Sequence, residues 1–278
     1  MDRRTRPNRF EPDPEDEDMD LAEIVSAVRA ALPDVLVAVD FDGTLAPLVP
    51  VPEDSRPVDG SVEALTALAD RGAHIAVITG RDARTVVRLS GLGQVPGILV
   101  AGLYGAETWH GDVLETPDTP DAMRALRDRL PVVLAEHGAD PDVWIEDKRL
   151  SLVVHGRQAA DPEAVLAPLR APVDALAVEL ELEVHPGSGV LELRLPGFDK
   201  AGALRRLVDA RSPGAVLYLG DDLGDLPAFA EIRRLRASGL IAWGVGVLSS
   251  DVPDLAEAAD VHVGTPADVV ALLRSLAA

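Results

Sequence analysis

The stretch Val35-Leu36-Val37-Ala38-Val39-Asp40-Phe41-Asp42-Gly43-Thr44-Leu45 decides how the chain is read. Five apolar residues in a row, three of them β-branched, predict a strand buried on both faces, as in a parallel sheet. The run stops at two carboxylates, a glycine and a hydroxyl. Acids at the edge of a core are costly unless they are used, so this strand end is a candidate chemical site. Their spacing of two lets both carboxylates face one side of an extended backbone. One can attack or hold a cation while the other handles a proton.

Working outward, the same grammar recurs. Ala46 to Pro57 is a proline-rich loop, and a helix opening at Pro57 to Ser61 is closed by Arg71-Gly72. Ala73 to Ile78 is a second buried strand, ending in Thr79-Gly80-Arg81, and a helix over 83–89 follows. Ile98 to Gly102 is a third strand. This alternation predicts an α/β fold: a doubly wound, parallel, Rossmann-like core, in which ligands bind at the carboxyl ends of the strands. Near Trp109-His110-Gly111-Asp112-Val113, which reads as a hairpin turn, the pattern changes. Helices over 120–136 and 162–177 alternate with strands over 143–147, 151–155, 182–185 and 190–194. That order predicts an inserted α+β cap domain, placed at 113–195. The first pattern then resumes: helices over 199–210, 226–236 and 266–276, and strands over 215–220 and 240–247. The core is therefore expected at 21–112 and 196–278.

Residues 1–20, with Glu11-Pro12-Asp13-Pro14-Glu15-Asp16-Glu17-Asp18, read as a disordered acidic tail. The apolar fraction of 47% supplies a core, and there is no cysteine, which excludes disulfides and thiolate metal sites. No apolar run reaches the roughly 18 residues of a membrane span. The start lacks the apolar segment of a secretory signal, so a cytoplasmic protein is expected. A net charge of −21 argues against a nucleic-acid partner. The 26 basic residues comprise 24 arginines and only two lysines, Lys148 and Lys200. Such sparing use suggests two places that need a compact point charge.

Four signals occur in a fixed order: Asp40-x-Asp42-Gly43-Thr44, Thr79-Gly80-Arg81, Lys200, and Gly220-Asp221-Asp222-x-x-Asp225. Singly, each could be a cap or a solvated turn. Together they specify phosphoryl transfer to an aspartate followed by hydrolysis. Asp40 is the expected nucleophile, since a carboxylate is ionised at neutral pH without a base. Asp42 is the expected acid, then base. Attack on an anion needs a cation between the charges. Asp40, Asp221 and the Asp42 carbonyl offer the hard oxygen ligands that Mg²⁺ prefers. Either Asp222 or Asp225 completes or orients that set, and the sequence leaves both open. Thr79 and the N–H groups near Asp42 and Gly43 are expected on the phosphoryl oxygens, with Lys200 neutralising the charge that develops. The histidines have neither metal-ligand nor triad spacing.

With these motifs in place the chain resembles the phosphatase branch of the haloacid dehalogenase-like superfamily, from about Val35 onward. The region between the third strand and Lys200 resembles that superfamily's large second-type cap. Within the branch the chain is similar to the trehalose-6-phosphate phosphatases. Asp40 to Pro47 matches their first motif, and Gly102-Leu103-Tyr104-Gly105-Ala106-Glu107 resembles a Gly-x-His-Gly-x-Glu segment. Glu146-Asp147-Lys148 with Ser151, His155 and Arg157 resembles their cap signature. Glu192-Leu193-Arg194 before Pro196 and Lys200 resembles a Glu-x-Arg-Pro region. The resemblance implies Mg²⁺-dependent release of trehalose from trehalose 6-phosphate, with a trehalose-6-phosphate synthase as partner. It places Glu146, Lys148, Arg157 and Glu192 on the sugar hydroxyls, and Gly43, Gly80, Arg81 and Glu107 on the substrate side of the site. Four positions depart from the family pattern: Gly224 and Leu226 replace Thr and Glu, Tyr104 stands where histidine is common, and Ser188 where a base is. Sucrose phosphate and glycosylated phosphoglycerate are the neighbouring substrate readings, and a non-catalytic phosphosugar sensor is the alternative of another class.

Overall fold

A computed structural model describes residues 20–116, 118–187, 189–248 and 255–278. Residues 1–19 of the expected acidic tail and Ser188 lie outside them. Asp20 caps the first helix, α1 (Leu21–Ala31), with a reciprocal Asp20–Glu23 capping box. The strands β1 (Val35–Val39), β2 (His74–Ile78) and β3 (Leu99–Gly102) alternate with α2 (Ser61–Asp70) and α3 (Ala83–Ser90). A hairpin of β4 (Glu107–His110) and β5 (Val113–Glu115) follows. After the intervening segment come α6 (Lys200–Arg211), β10 (Ala215–Gly220), α7 (Leu226–Ala237), β11 (Ile241–Val247), α8 (Leu255–Ala258), β12 (Val261–Val263) and α9 (Pro266–Ala277).

These strands form one sheet in the order β12-β11-β10-β1-β2-β3-β4-β5. The pairs from β12 through β3 are parallel, and β4 and β5 are antiparallel. β1 lies between β10 and β2, which is where a doubly wound sheet reverses its winding. Val39 is in register with Leu219 on one side and Val77 on the other, so the three carboxyl ends are level. Both faces are covered, as the apolar run requires. Val35, Val37 and Val39 pack toward α1, α2 and α9, while Leu36 and Ala38 pack toward α6 and α7.

The intervening segment builds a second layer. β6 (Trp144–Asp147), β7 (Ser151–His155), β8 (Glu183–Gly187) and β9 (Val190–Arg194) form an antiparallel sheet in the order β6-β7-β9-β8. Leu152, Val154, Leu191 and Leu193 alternate to one face, where α4 (Asp121–Glu136) and α5 (Pro162–Glu179) cover them. Charged and hydroxyl side chains alternate to the other. The expected boundary at 113 needs correction. Val113–Glu115 pair with β4 and extend the large sheet, so the chain leaves that layer only after Glu115. Two residues of alternating pattern are too few to reveal such a strand. Strand β12 and helix α8 were not legible either, for the same reason of length, and of β4 only the hairpin turn at its end was read.

Candidate active site

The level strand ends bring four distant stretches together. Asp40, Thr79, Asp221 and Asp225 are all buried, at 4%, 1%, 4% and 0% exposure. Lys200 joins them at 2%. It sits at the first position of α6, which Asp199 caps by accepting from the Gly202 N–H at 2.6 Å. A cation gains nothing from a helix N-terminus, so its place there has another cause. Its Nζ lies 2.6 Å from Asp225 Oδ1, 3.1 Å from Asp40 Oδ1 and 3.5 Å from Asp222 Oδ1. Asp199, the partner a surface helix would offer it, is used by the backbone instead.

Asp225 is the anchor of the group. Its Oδ1 accepts from Lys200 and from the Tyr218 hydroxyl, and its Oδ2 from the Asp221 and Asp222 amides at 2.9 and 3.0 Å. Burial pushes this carboxyl up, but Lys200 and the hydrogen bonds outweigh it and hold the carboxyl low. Asp40 stands the other way: burial, opposed by Lys200, leaves its carboxyl well above the usual range. Asp221 is pushed up to about 7, chiefly by burial.

The cluster therefore holds more negative charge than its lysine neutralises. Oxygens of Asp40, Asp221 and Asp225 lie within 4.8 Å of one another. Asp225 has both oxygens occupied, whereas Lys200 and Thr44 take only one oxygen each of Asp40 and Asp221, the latter at 2.8 Å. One oxygen each of Asp40 and Asp221 is left outside these contacts. An oxygen-only donor set with surplus charge fits a hard divalent ion. Gly43 leaves room for the Asp221 carboxylate: its φ is +83°, and a Cβ there would sit 1.8 Å from Asp221 Oδ2. Asp222, with 57% of its side chain exposed, lies at the rim.

Asp42 is not in this cluster. Arg81 grips it as a two-pronged fork, Nε to Oδ2 at 2.5 Å and Nη2 to Oδ1 at 2.7 Å, and the buried Ser55 donates to Oδ1 at 2.9 Å. Arg81 thus holds a catalytic candidate in place. The Gly43 N–H, expected on the phosphoryl group, is already donated to the Ala46 carbonyl at 2.7 Å to close a tight turn. Thr79 ends β2, and its hydroxyl accepts from the Arg81 N–H at 3.1 Å.

The polar face of the smaller sheet meets this edge across a cleft lined by Gly80, Tyr104, Ser151, Glu192, Arg194 and others. Strand register sets Glu146 level with Val153 and Glu192. Ser151 donates to Glu192 at 2.6 Å, His155 meets Glu146 at 2.9 Å, and Lys148 lies 3.9 Å from the same carboxylate. Arg157 is exposed in the turn beyond β7. Glu107 does not present a free carboxylate to this cleft. One oxygen caps α3 through the Ala83 N–H at 2.6 Å, and the other binds Arg149 at 2.7 Å. It is a tie between the two layers. Tyr104, whose phenol is pushed up to about 12 by burial and then by Glu192, faces Arg194 across the same seam. Ser55 and Tyr218 were missed because each acts only through a carboxylate partner, and Arg194, read only as part of a motif, meets Tyr104 from a distant stretch of chain.

The trehalose-phosphatase family model matches residues 38–261. The chain is similar to trehalose-phosphate phosphatases of Mycobacterium avium and Mycobacterium marinum. The first is 35% identical over 246 residues, covering 86% of this chain and 61% of that protein. The second is 32% identical over 282 residues, covering 94% and 67%. The structure is similar to Aspergillus fumigatus trehalose-6-phosphate phosphatase, with a TM-score of 0.72 at 28% identity, covering 93% of this chain and 97% of that one. Haloacid dehalogenase-like folds are shared more widely, as with a hydrolase from Bacteroides thetaiotaomicron at TM-score 0.61, 17% identity and coverages of 86% and 98%. The extent of the family match and these likenesses place the chain: it belongs to the trehalose-phosphatase family.

Proposed function

We propose that this chain hydrolyses trehalose 6-phosphate to trehalose and inorganic phosphate, with Mg²⁺ as its ion. The observation that carries the reading is the buried group of Asp40, Asp221, Asp225 and Lys200, beside a cleft whose other wall is the polar face of the smaller sheet. Asp40, Asp221 and the Asp42 carbonyl would hold the ion, with Asp225 positioning Asp221 and Asp222 at the rim. Bound there, Mg²⁺ supplies charge neutralisation for the phosphoryl oxygens.

An Asp40 oxygen forms a bond to phosphorus as the bond from phosphorus to the sugar oxygen breaks. Asp42 gives its proton to that leaving oxygen. In the second half, Asp42 takes a proton from water, the water oxygen bonds to phosphorus, and the Asp40 carboxylate is released. Both Asp42 oxygens are engaged by Arg81 and Ser55, so the fork must open before a proton can pass. Lys200 balances Asp40 before and after attack. Thr79 and Gly80 bound the phosphate side. Glu146, Lys148, Arg157 and Glu192 accept from and donate to the sugar hydroxyls. Two carboxylates bind a sugar rich in donors better than a second anion, which favours a neutral disaccharide over glycosylated phosphoglycerate. A trehalose-6-phosphate synthase would supply the substrate. The cysteine-free composition suits the reducing cytoplasm; no helix among the described residues is long and apolar enough to cross a membrane.

Phosphate release from a panel of sugar phosphates, with and without Mg²⁺, tests this. Trehalose 6-phosphate should be preferred, the rate should vanish on chelation, and Asp40→Asn should lose more than the roughly 10²–10⁴-fold typical of an acid–base group. Equal turnover across the panel, or an active Asp40→Asn protein, would defeat it.

A further inference from the structure

The seam between the layers holds an aromatic residue that the chemistry above does not use. Leu103 and Tyr104 both have φ in the left-handed region, +49° and +57°. Side-chain-bearing residues enter that region at a cost, and two in succession need support. The support comes from the phosphate side of the site. Leu103 N–H donates to Arg81 O at 2.8 Å and Tyr104 N–H to Thr79 O at 2.9 Å. The strained turn is therefore clamped to Thr79-Gly80-Arg81. It lays the Tyr104 ring against Gly80, so closely that a Cβ on Gly80 would come within 2.8 Å of the phenol oxygen.

One ring face is turned to the smaller sheet. There the Arg194 guanidinium covers it, 4.7 Å from the ring centre. Arg194 is loosely held for a charged group. It has one contact to His185 at 3.1 Å, and its Nε is buried with no acceptor among the described residues. The Tyr104 ring beside it is half-buried. Beside the pair stand Glu192 and Ser151, already bonded to each other. The cavity between all of these is about 10 Å³, the size of one water at most. No sugar ring enters without lifting Arg194 from Tyr104.

We propose that Tyr104 and Arg194 form the specificity-determining clamp for the sugar ring that carries the phosphate. The ring enters between them: its apolar face lies on the Tyr104 ring, and its hydroxyl oxygens satisfy the Tyr104 O–H and the Arg194 Nε–H. A group in contact with Gly80 is next to the phosphate, so this ring and not the distal one is selected. The inference rests on the phosphatase reading and adds to it which ring is selected and by what.

The test compares kcat/KM for trehalose 6-phosphate with kcat/KM for p-nitrophenyl phosphate, which carries no sugar. Tyr104→Leu removes the ring and Tyr104→Phe removes only the hydroxyl at nearly constant volume. Arg194→Met keeps the packing but loses the donors. The ratio of the two constants should fall at least tenfold in Tyr104→Leu and Arg194→Met, through KM for the sugar phosphate, and less in Tyr104→Phe. Tyr104→His, which keeps a flat ring with an N–H, should recover part of the loss. A ratio within threefold of wild type in both Tyr104→Leu and Arg194→Met overturns the clamp alone. Wild-type protein active on p-nitrophenyl phosphate but inert toward trehalose 6-phosphate overturns the substrate reading, and the clamp with it.

Discussion

The acid cluster and the polar face of the smaller sheet are built on opposite terms. At the edge of the large sheet the centre of the cluster is buried and tightly bonded: Asp225 accepts four hydrogen bonds, and Lys200 is 3% exposed on its side chain. Across the cleft the side chains of Glu146 and Lys148 are 39% and 31% exposed, and 3.9 Å apart. A site that must stabilise developing charge benefits from dipoles that need not reorganise. On the proposed reading the opposite wall admits and releases a sugar, which looser groups favour. The large sheet is accordingly a fixed instrument, and the smaller one an adjustable cover.

That contrast can be broken at four points. The largest effect is expected for Asp225→Ala. It takes away the nearest of the carboxylates around Lys200 and leaves two amides and the Tyr218 hydroxyl without their acceptor, and should cost about 3–5 kcal/mol. Urea unfolding measures it; a loss below about 1 kcal/mol would show the cluster to be less rigid than its hydrogen bonds suggest. Next comes the pH dependence of the chelated protein. A carboxyl raised by folding adds stability below its unfolded value and loses it as pH rises through its folded value. With Asp221 at about 7 and Asp40 shifted the same way, stability should fall by about 2–4 kcal/mol between pH 4 and 8. Millimolar Mg²⁺ should flatten that slope, and a slope indifferent to Mg²⁺ would count against an ion at these oxygens.

Smaller effects are expected on the cover. Glu192→Ala should raise KM for the sugar phosphate about tenfold, near 1.4 kcal/mol, with kcat within about twofold. A fall in kcat alone would move Glu192 from holding the sugar to acting in the transition state. Last, Arg149→Ala cuts the tie to Glu107. Arg149 is 39% exposed, so the stability cost should stay within about 0.5–1 kcal/mol. A larger cost by thermal unfolding would mean that the layers are locked and not adjustable.

The fixed half was readable in the chain because each chemical residue follows directly on an apolar strand. Asp40, Thr79 and Asp221 end β1, β2 and β10, and a parallel sheet makes such ends level. The partners of those residues were not readable. Tyr218 lies inside a buried strand and looks like core until the Asp225 carboxylate is seen beneath its hydroxyl. Ser55 sits in a loop, and the Gly43 amide was already spent on a turn. Glu107 looked like a ligand by its motif and proved to be a helix cap and a tie. In the cover, alternation marked the polar face, but which residues touch the core depends on a docking that no local pattern encodes.

The sparing use of lysine has a practical outcome. The only two side-chain amines in the chain stand on either wall of the cleft, one sealed and one open to solvent. Once the α-amine is blocked, an acylating reagent should label Lys148 and spare Lys200. Attached to a fluorophore, that single position becomes a handle from which the occupancy of the cleft can be watched in real time, without engineering a tag into the chain.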